Sequence, residues 1–185
     1  MNTSLDGLLP YQVKSCEGYG VKNCSFMFVG ISAGKLGALK TNVPFTKDGS
    51  GRMLQRTLKA LGLSKSDEMS LKPELVDCWI TNLVKGRILD DKGNNRLPNQ
   101  REIDYWWNDF VTEFETVNPK TIIAVGNLVY TMIRNNMSYH IQKDVRQVMH
   151  PRWYFSHGGI KDGSKASRQM IDDYAKVLDI TVIRE

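Results

Sequence analysis

Four short apolar runs, three closing on glycine and one running into His-Pro, alternate along this chain with stretches of helical periodicity. The runs are SFMFVG at 25–30, VDCWITNLVKG at 76–86, TIIAVG at 121–126 and VRQVM at 145–149. Their apolar character suits strands buried in a sheet. Between them, Met53, Leu54, Leu58 and Leu61 fall at helical spacing within 51–63, with Gly62 as a stop. Asn99 is placed to cap a helix over 100–117. Its apolar side carries Ile103, Trp106, Trp107, Phe110 and Phe114, and Asn118-Pro119 ends it. Further helices are expected over 127–135 and 165–178, and 180–185 reads as a last strand or an edge. This alternation predicts a three-layer α/β/α sandwich with a mainly parallel four-stranded central sheet, as one domain over 1–185.

In such sheets ligands bind outside the carboxyl ends of the strands. Those ends are Gly30, residues 82–86, Gly126 and His150. The glycine-rich loop, Asn82 and His150 are therefore expected to converge.

The loop itself, FMFVGISAGKLGALKTNVPFTKDGSG, first suggests a phosphate cradle. Its spacing rejects that reading. Gly30 to Gly34 is one residue short of a P-loop, and Leu36 follows Lys35 where a hydroxyl should reach magnesium. No G-x-G-x-x-G opens a helix, and neither a G-x-S-x-G elbow nor an H-E-x-x-H zinc helix occurs.

Charge permits a polyanionic partner such as nucleic acid without requiring one. The formal net charge is +5, and the basic residues gather in the same loops. Lys35, Lys40, Lys47 and Arg52 lie in or beside the first, Lys85, Arg87, Lys92 and Arg96 in the second, and Arg146 and Arg152 flank His150-Pro151. No apolar run approaches the roughly 18 residues of a membrane span. The N-terminus lacks a signal-peptide layout, so a cytoplasmic monomer with no membrane partner is expected. Cys16, Cys24 and Cys78 are too few for a four-cysteine site. Cys78 reads as core, while pairing or His-assisted metal binding stays open for Cys16 and Cys24. His140 and His157 receive no role.

Four segments in register resemble the uracil-DNA glycosylase superfamily. VGISAGKLGALKTNVPFTKDGSGRMLQRTLKALGL resembles its first motif, most closely in the family-5 branch. ITNLVKGR and NNRLPNQREI are similar to a family-4 segment, NPKTIIAVGNLVYTMI to the strand and helix that follow, and VMHPRW to the strand-end histidine motif. The resemblance implies a monofunctional DNA glycosylase that extrudes a base and hydrolyses its bond to deoxyribose, without metal or cofactor. It implies that Phe45 stacks on the base, Asn82 bonds its Watson–Crick edge, and Gly30, Ile31 and the loop as far as Gly34 line the pocket. His150 would stabilise the leaving pyrimidine, and Asp48 would orient water or the sugar cation. Arg152, Trp153, Tyr154 and Phe155 would wedge the duplex, while Lys35, Lys47, Lys85 and Arg87 would meet DNA.

Two departures modify this. Ser32 stands where other branches keep a catalytic side chain, which shifts the load to Asp48. The iron–sulfur cysteines of families 4 and 5 are missing, and no cluster is expected. Ser32, Ala33, Gly34, Gly37 and Ala38 are small, so the pocket is expected to admit a C5-substituted pyrimidine, including bulky modified bases of foreign DNA. A DNA-binding module without catalysis and a hydrolase of free nucleosides remain the rival readings.

Overall fold

The computed structural model describes residues 8–136, 143–157 and 163–182. Among the described residues five strands form one sheet: β1 (Tyr19–Gly20), β2 (Phe26–Ser32), β3 (Cys78–Val84), β4 (Thr121–Val125) and β5 (Asp144–Val148). Their order is β1-β3-β2-β4-β5. All neighbouring pairs are parallel except β1 with β3. The sheet thus has one strand more than the four expected. β1 is two residues long and carries no apolar run, so periodicity could not reveal it. The described end of the chain, 180–182, is not a strand.

Successive residues of β2 and β4 point to opposite faces, as the strand repeat requires. Phe28, Ile123 and Val125 pack with Leu54 and Leu58 of α2 (Gly49–Ala60), Tyr154 of α5 (Pro151–His157) and Met170 and Tyr174 of α6 (Gly163–Leu178). Met27, Val29, Ile122 and Ala124 pack with Ile103, Trp106, Phe110 and Phe114 of α3 (Gln100–Val117) and Val129 and Ile133 of α4 (Asn127–Asn136). Two apolar cores on one sheet make three layers. Both faces are covered, which is why these strands lack polar alternation.

The helix signals act as read. Asn99 accepts from the Glu102 amide at 3.0 Å, while Glu102 accepts from the Asn99 amide at 2.9 Å, closing a capping box. Asn118 ends α3 in the left-handed conformation. A short α1 (Ala38–Thr41) interrupts the long loop after β2. The segment after His150 begins at once as α5. The glycine-rich residues 158–162 beyond it, His140, and 183–185 lie outside the described residues.

Candidate active site

β2 lies between β3 and β4, so the chain leaves it to opposite sides and a cleft opens at the strand ends. The cleft holds about 370 Å³. Its wall combines the β2 loop (Ile31, Ser32, Ala33, Gly34), Phe45, Asp48, Asn82, His150 and Arg152 with Asn95, Arg96 and Leu97.

Gly30 sits opposite Asn82 in the β2–β3 register. A Cβ on Gly30 would lie 2.6 Å from both Asn82 Oδ1 and Phe45 Cζ. Glycine here lets an amide and an aromatic ring close over one strand end. Gly30→Ala should displace both groups, lowering kcat/KM for base excision about tenfold to a hundredfold. The melting temperature should change little, because side-chain ends rather than backbone yield. An undiminished rate would show that the two groups need not meet there.

Asn82 is only 4% exposed, yet its amide has no hydrogen-bond partner among the described residues. Buried amides are normally paired, so an unpaired one lining a cleft marks a place for a polar ligand. Phe45 is held in the left-handed region, at φ 51°, which is costly for an aromatic residue. Gln55 donates to its carbonyl at 3.1 Å, and Thr46 Oγ1 bonds the Val43 carbonyl at 2.8 Å. The turn is therefore fixed from below by buried polar groups.

Asp48 caps α2, its Oδ1 accepting from the Gly51 amide at 2.7 Å. Its Oδ2 turns toward the β2 loop, where a Cβ on Gly34 would stand 2.8 Å away. A Cβ on Gly37 would also meet this oxygen, and would lie 2.6 Å from the Thr46 carbonyl. Space that the sequence credits to a C5 substituent at Gly34 and Gly37 is thus partly taken by the carboxylate. Ser32, Ala33 and Ala38 remain as small lining residues.

His150 follows β5 directly, and its Nδ1 accepts from the Arg152 amide at 3.1 Å. A neutral imidazole so bonded carries its proton on Nε2. Burial lowers its pKa below 6.5, Asp48 opposes that, and Arg152 adds to it. Gly126, at φ 106°, passes under the histidine, and its amide bonds the Val148 carbonyl at 2.8 Å. β4 thereby pins the end of β5.

Several expected DNA contacts stand elsewhere. Lys85 is 2% exposed and bonds Glu113 and Thr81 inside the protein. Burial lowers its pKa, and Glu113 opposes the shift. A phosphate contact at Lys85 is therefore ruled out by burial. Lys85→Met leaves Glu113 without its cation and should cost about 3–5 kcal/mol in urea unfolding, with no change in the salt dependence of DNA binding. An altered salt slope without destabilisation would contradict this placement. Tyr154 points inward at 2% exposure and donates to Asp173 at 2.9 Å, so it cannot act as a wedge. Arg152, Trp153 and Phe155 are exposed on α5, and Lys35 and Lys47 are exposed around the β2 loop. Arg87 is exposed but lines a separate cavity of about 520 Å³ with Lys14 and Cys16. Arg146 braces Asp144 and Asp179 rather than facing the cleft.

The thiols are free and buried. Burial pushes Cys16 up to about 12 and Cys24 up to about 11, and raises Cys78 further. Cys24 bonds the Phe26 carbonyl and Cys78 the Leu63 carbonyl. Among the described residues no group of three or more His, Cys, Asp or Glu side chains could hold a metal ion, so this donor set does not fit an iron–sulfur cluster. No described helix is long and apolar enough to cross a membrane.

Asn95, Leu97 and Ser50 line the cleft without having been singled out by sequence. Asn95 Oδ1 accepts from the Lys35 amide at 2.9 Å, joining two loops 60 residues apart. Only the NNRLPN segment hinted at this wall.

The chain is 28% identical over 118 residues to the type-4 uracil-DNA glycosylase of Archaeoglobus fulgidus, a match covering 64% of this chain and 51% of that protein. It therefore spans about half the length of the curated relative it matches. The solved structure of wild-type Pedobacter heparinus SMUG2 superposes with a TM-score of 0.56 at 15% identity, over 84% of this chain and 75% of that one, a likeness of fold. The description of the uracil DNA glycosylase superfamily matches residues 17–174, and the chain belongs to that superfamily.

Proposed function

We propose that the chain is a DNA glycosylase that hydrolyses the N-glycosidic bond of a flipped uracil or C5-modified pyrimidine and leaves an abasic site. The observation that carries this is Asn82: a buried amide with no hydrogen-bond partner among the described residues, beside an aromatic ring, in a cleft that also holds a carboxylate and a neutral imidazole.

An amide offers one acceptor and two donors, the complement of a pyrimidine's Watson–Crick edge. Phe45 supplies a face for the ring. As the glycosidic bond breaks, negative charge grows on the base and positive charge on the sugar. The Nε2–H of His150 is available to donate to the pyrimidine oxygen as that charge builds. A neutral donor suits this role because it is poised at pH 7 without a counter-ion. Asp48 keeps one oxygen on the α2 cap and has the other for a water or the sugar cation. The cap fixes the carboxylate, so little ordering remains for the reaction step. Arg152, Lys35 and Lys47 would meet phosphates around the mouth.

Excision from oligonucleotides carrying 5-methyl, 5-hydroxymethyl and larger C5 groups on one pyrimidine tests the substrate reading. Ser32, Ala33 and Ala38 favour activity that persists through small substituents and declines when they meet the Asp48 side of the pocket. Activity on uracil alone would refute the C5 tolerance. Binding without base release from any of these substrates would favour a module that has lost catalysis.

A further inference from the structure

Three consecutive carbonyls around His150 are each held by a donor from a different element. The Gly126 amide, just after β4, donates to Val148 at 2.8 Å. The Tyr174 hydroxyl of α6 donates to Met149 at 2.8 Å. The Trp153 amide of α5 donates to His150 at 2.8 Å. The first belongs to the sheet and the last to the first turn of α5. The middle carbonyl lies past the β4–β5 register, which ends with Val125 opposite Val148, so the ladder cannot satisfy it. Its donor is a side chain 25 residues further along the chain.

Tyr174 is fully buried, in the core that also holds Val148 and Tyr154. A buried tyrosine normally finds a partner for its hydroxyl, so the bond by itself means little. Its place is informative. The Met149 carbonyl belongs to the peptide that joins Met149 to His150, and a peptide is planar. Fixing that oxygen fixes the Cα of His150. The helix behind the hydroxyl is itself tied down, because the neighbouring Asp173 accepts from Tyr154 of α5 at 2.9 Å and from Gln169 at 2.8 Å. Burial raises the pKa of Tyr174 far above the usual tyrosine value, so the hydroxyl keeps the proton it donates.

We propose that Tyr174 is a positioning residue for the reaction: acting through the Met149–His150 peptide, its hydroxyl sets where the imidazole presents its Nε2–H in the cleft. This rests on the reading of His150 as donor to the leaving base. Tyr174 itself lines no part of the cleft. A donor aimed at a developing charge acts only over a narrow range of placement, which a freed peptide would widen. The charged groups that face His150 are Asp48 from the α2 cap and Arg152 from α5, and neither changes when the hydroxyl is removed.

The test uses the full chain and a duplex with one uracil. Tyr174→Phe keeps the ring and should slow single-turnover base release about tenfold. Duplex affinity should stay within about twofold, since no phosphate contact is touched. The acid limb of the rate should move up toward 6.5, because a loosened imidazole gains water and loses part of its bond from the Arg152 amide, and both changes favour the protonated form. Tyr154→Phe removes a hydroxyl from the same pair of helices, but one that rests on Asp173 rather than on the strand end. Both variants should melt about 2–4 °C lower. Only Tyr174→Phe should change the rate and the limb. Equal slowing in both variants, or a Tyr174→Phe chain altered only in its melting temperature, overturns the proposal while leaving the glycosylase reading intact. If the wild type releases no base, the glycosylase reading fails, and nitrogen-15 shifts of His150 still decide whether Tyr174 places the imidazole. A titration moved up toward 6.5 in Tyr174→Phe, with less of the Nε2–H tautomer, supports the placement. An unchanged titration and tautomer overturn it.

Discussion

Asp48→Asn should bind DNA as the wild type does and form abasic sites about a hundredfold to ten-thousandfold more slowly. The substitution keeps the cap, because an asparagine oxygen can still accept from the Gly51 amide now held at 2.7 Å. Asparagine and aspartate cap helices about equally well, so stability should stay within about 1 kcal/mol. What is lost is charge on the oxygen facing Gly34 and Gly37. Single-turnover rates and binding titrations at one salt concentration check both halves. A rate within threefold of wild type would remove Asp48 from the chemistry and leave it a helix cap.

His150→Ala should cost about a hundredfold to a thousandfold, the usual effect of deleting one donor to a developing oxyanion. The native chain should carry a matching pH signature. Burial and Arg152 hold His150 below its ordinary value of 6.5, so the neutral form dominates at pH 7. Acid adds a proton at Nδ1, where the Arg152 amide now donates, and breaks that bond. The rate should be flat through neutrality and fall on an acid limb centred below 6.5. Stability should follow the same sign. The unfolded histidine takes up its proton near 6.5 and the folded one only at lower pH, so stability declines as pH falls from 6.5 through the folded value. His150→Ala should lose this limb.

The strands and helices that could be read in the sequence were those whose periodicity is imposed by two buried sheet faces. Asn99 and Asn118 bound α3 as their cap chemistry demands. The glycine loop, Asn82 and His150 could be gathered because each lies at the end of a parallel strand, and such ends share one edge of the sheet, whereas Phe45 and Asp48 come only from the family resemblance. Lys85 and Tyr154 show the limit of that reasoning. A lysine three residues past Asn82 reads as loop charge until Glu113, 28 residues on, is seen beside it in the core. Tyr154 sits in an aromatic run that reads as a wedge, but helix geometry turns it inward while Trp153 and Phe155 face outward. Lys35 to Asn95 is the same kind of case, since a contact between two polar loops leaves no periodic trace. Fine roles depend on side-chain direction and long-range pairing, which one sequence does not carry.

The most direct test of the central claim is a single-turnover reaction of the wild-type chain with a duplex carrying one uracil, followed by chromatography of the released products and alkaline cleavage of the strand. The account predicts free uracil in equal amount to alkali-labile sites, with no strand break before alkali. DNA that is bound tightly while no free base appears, from uracil or from any C5-substituted pyrimidine in its place, would contradict it.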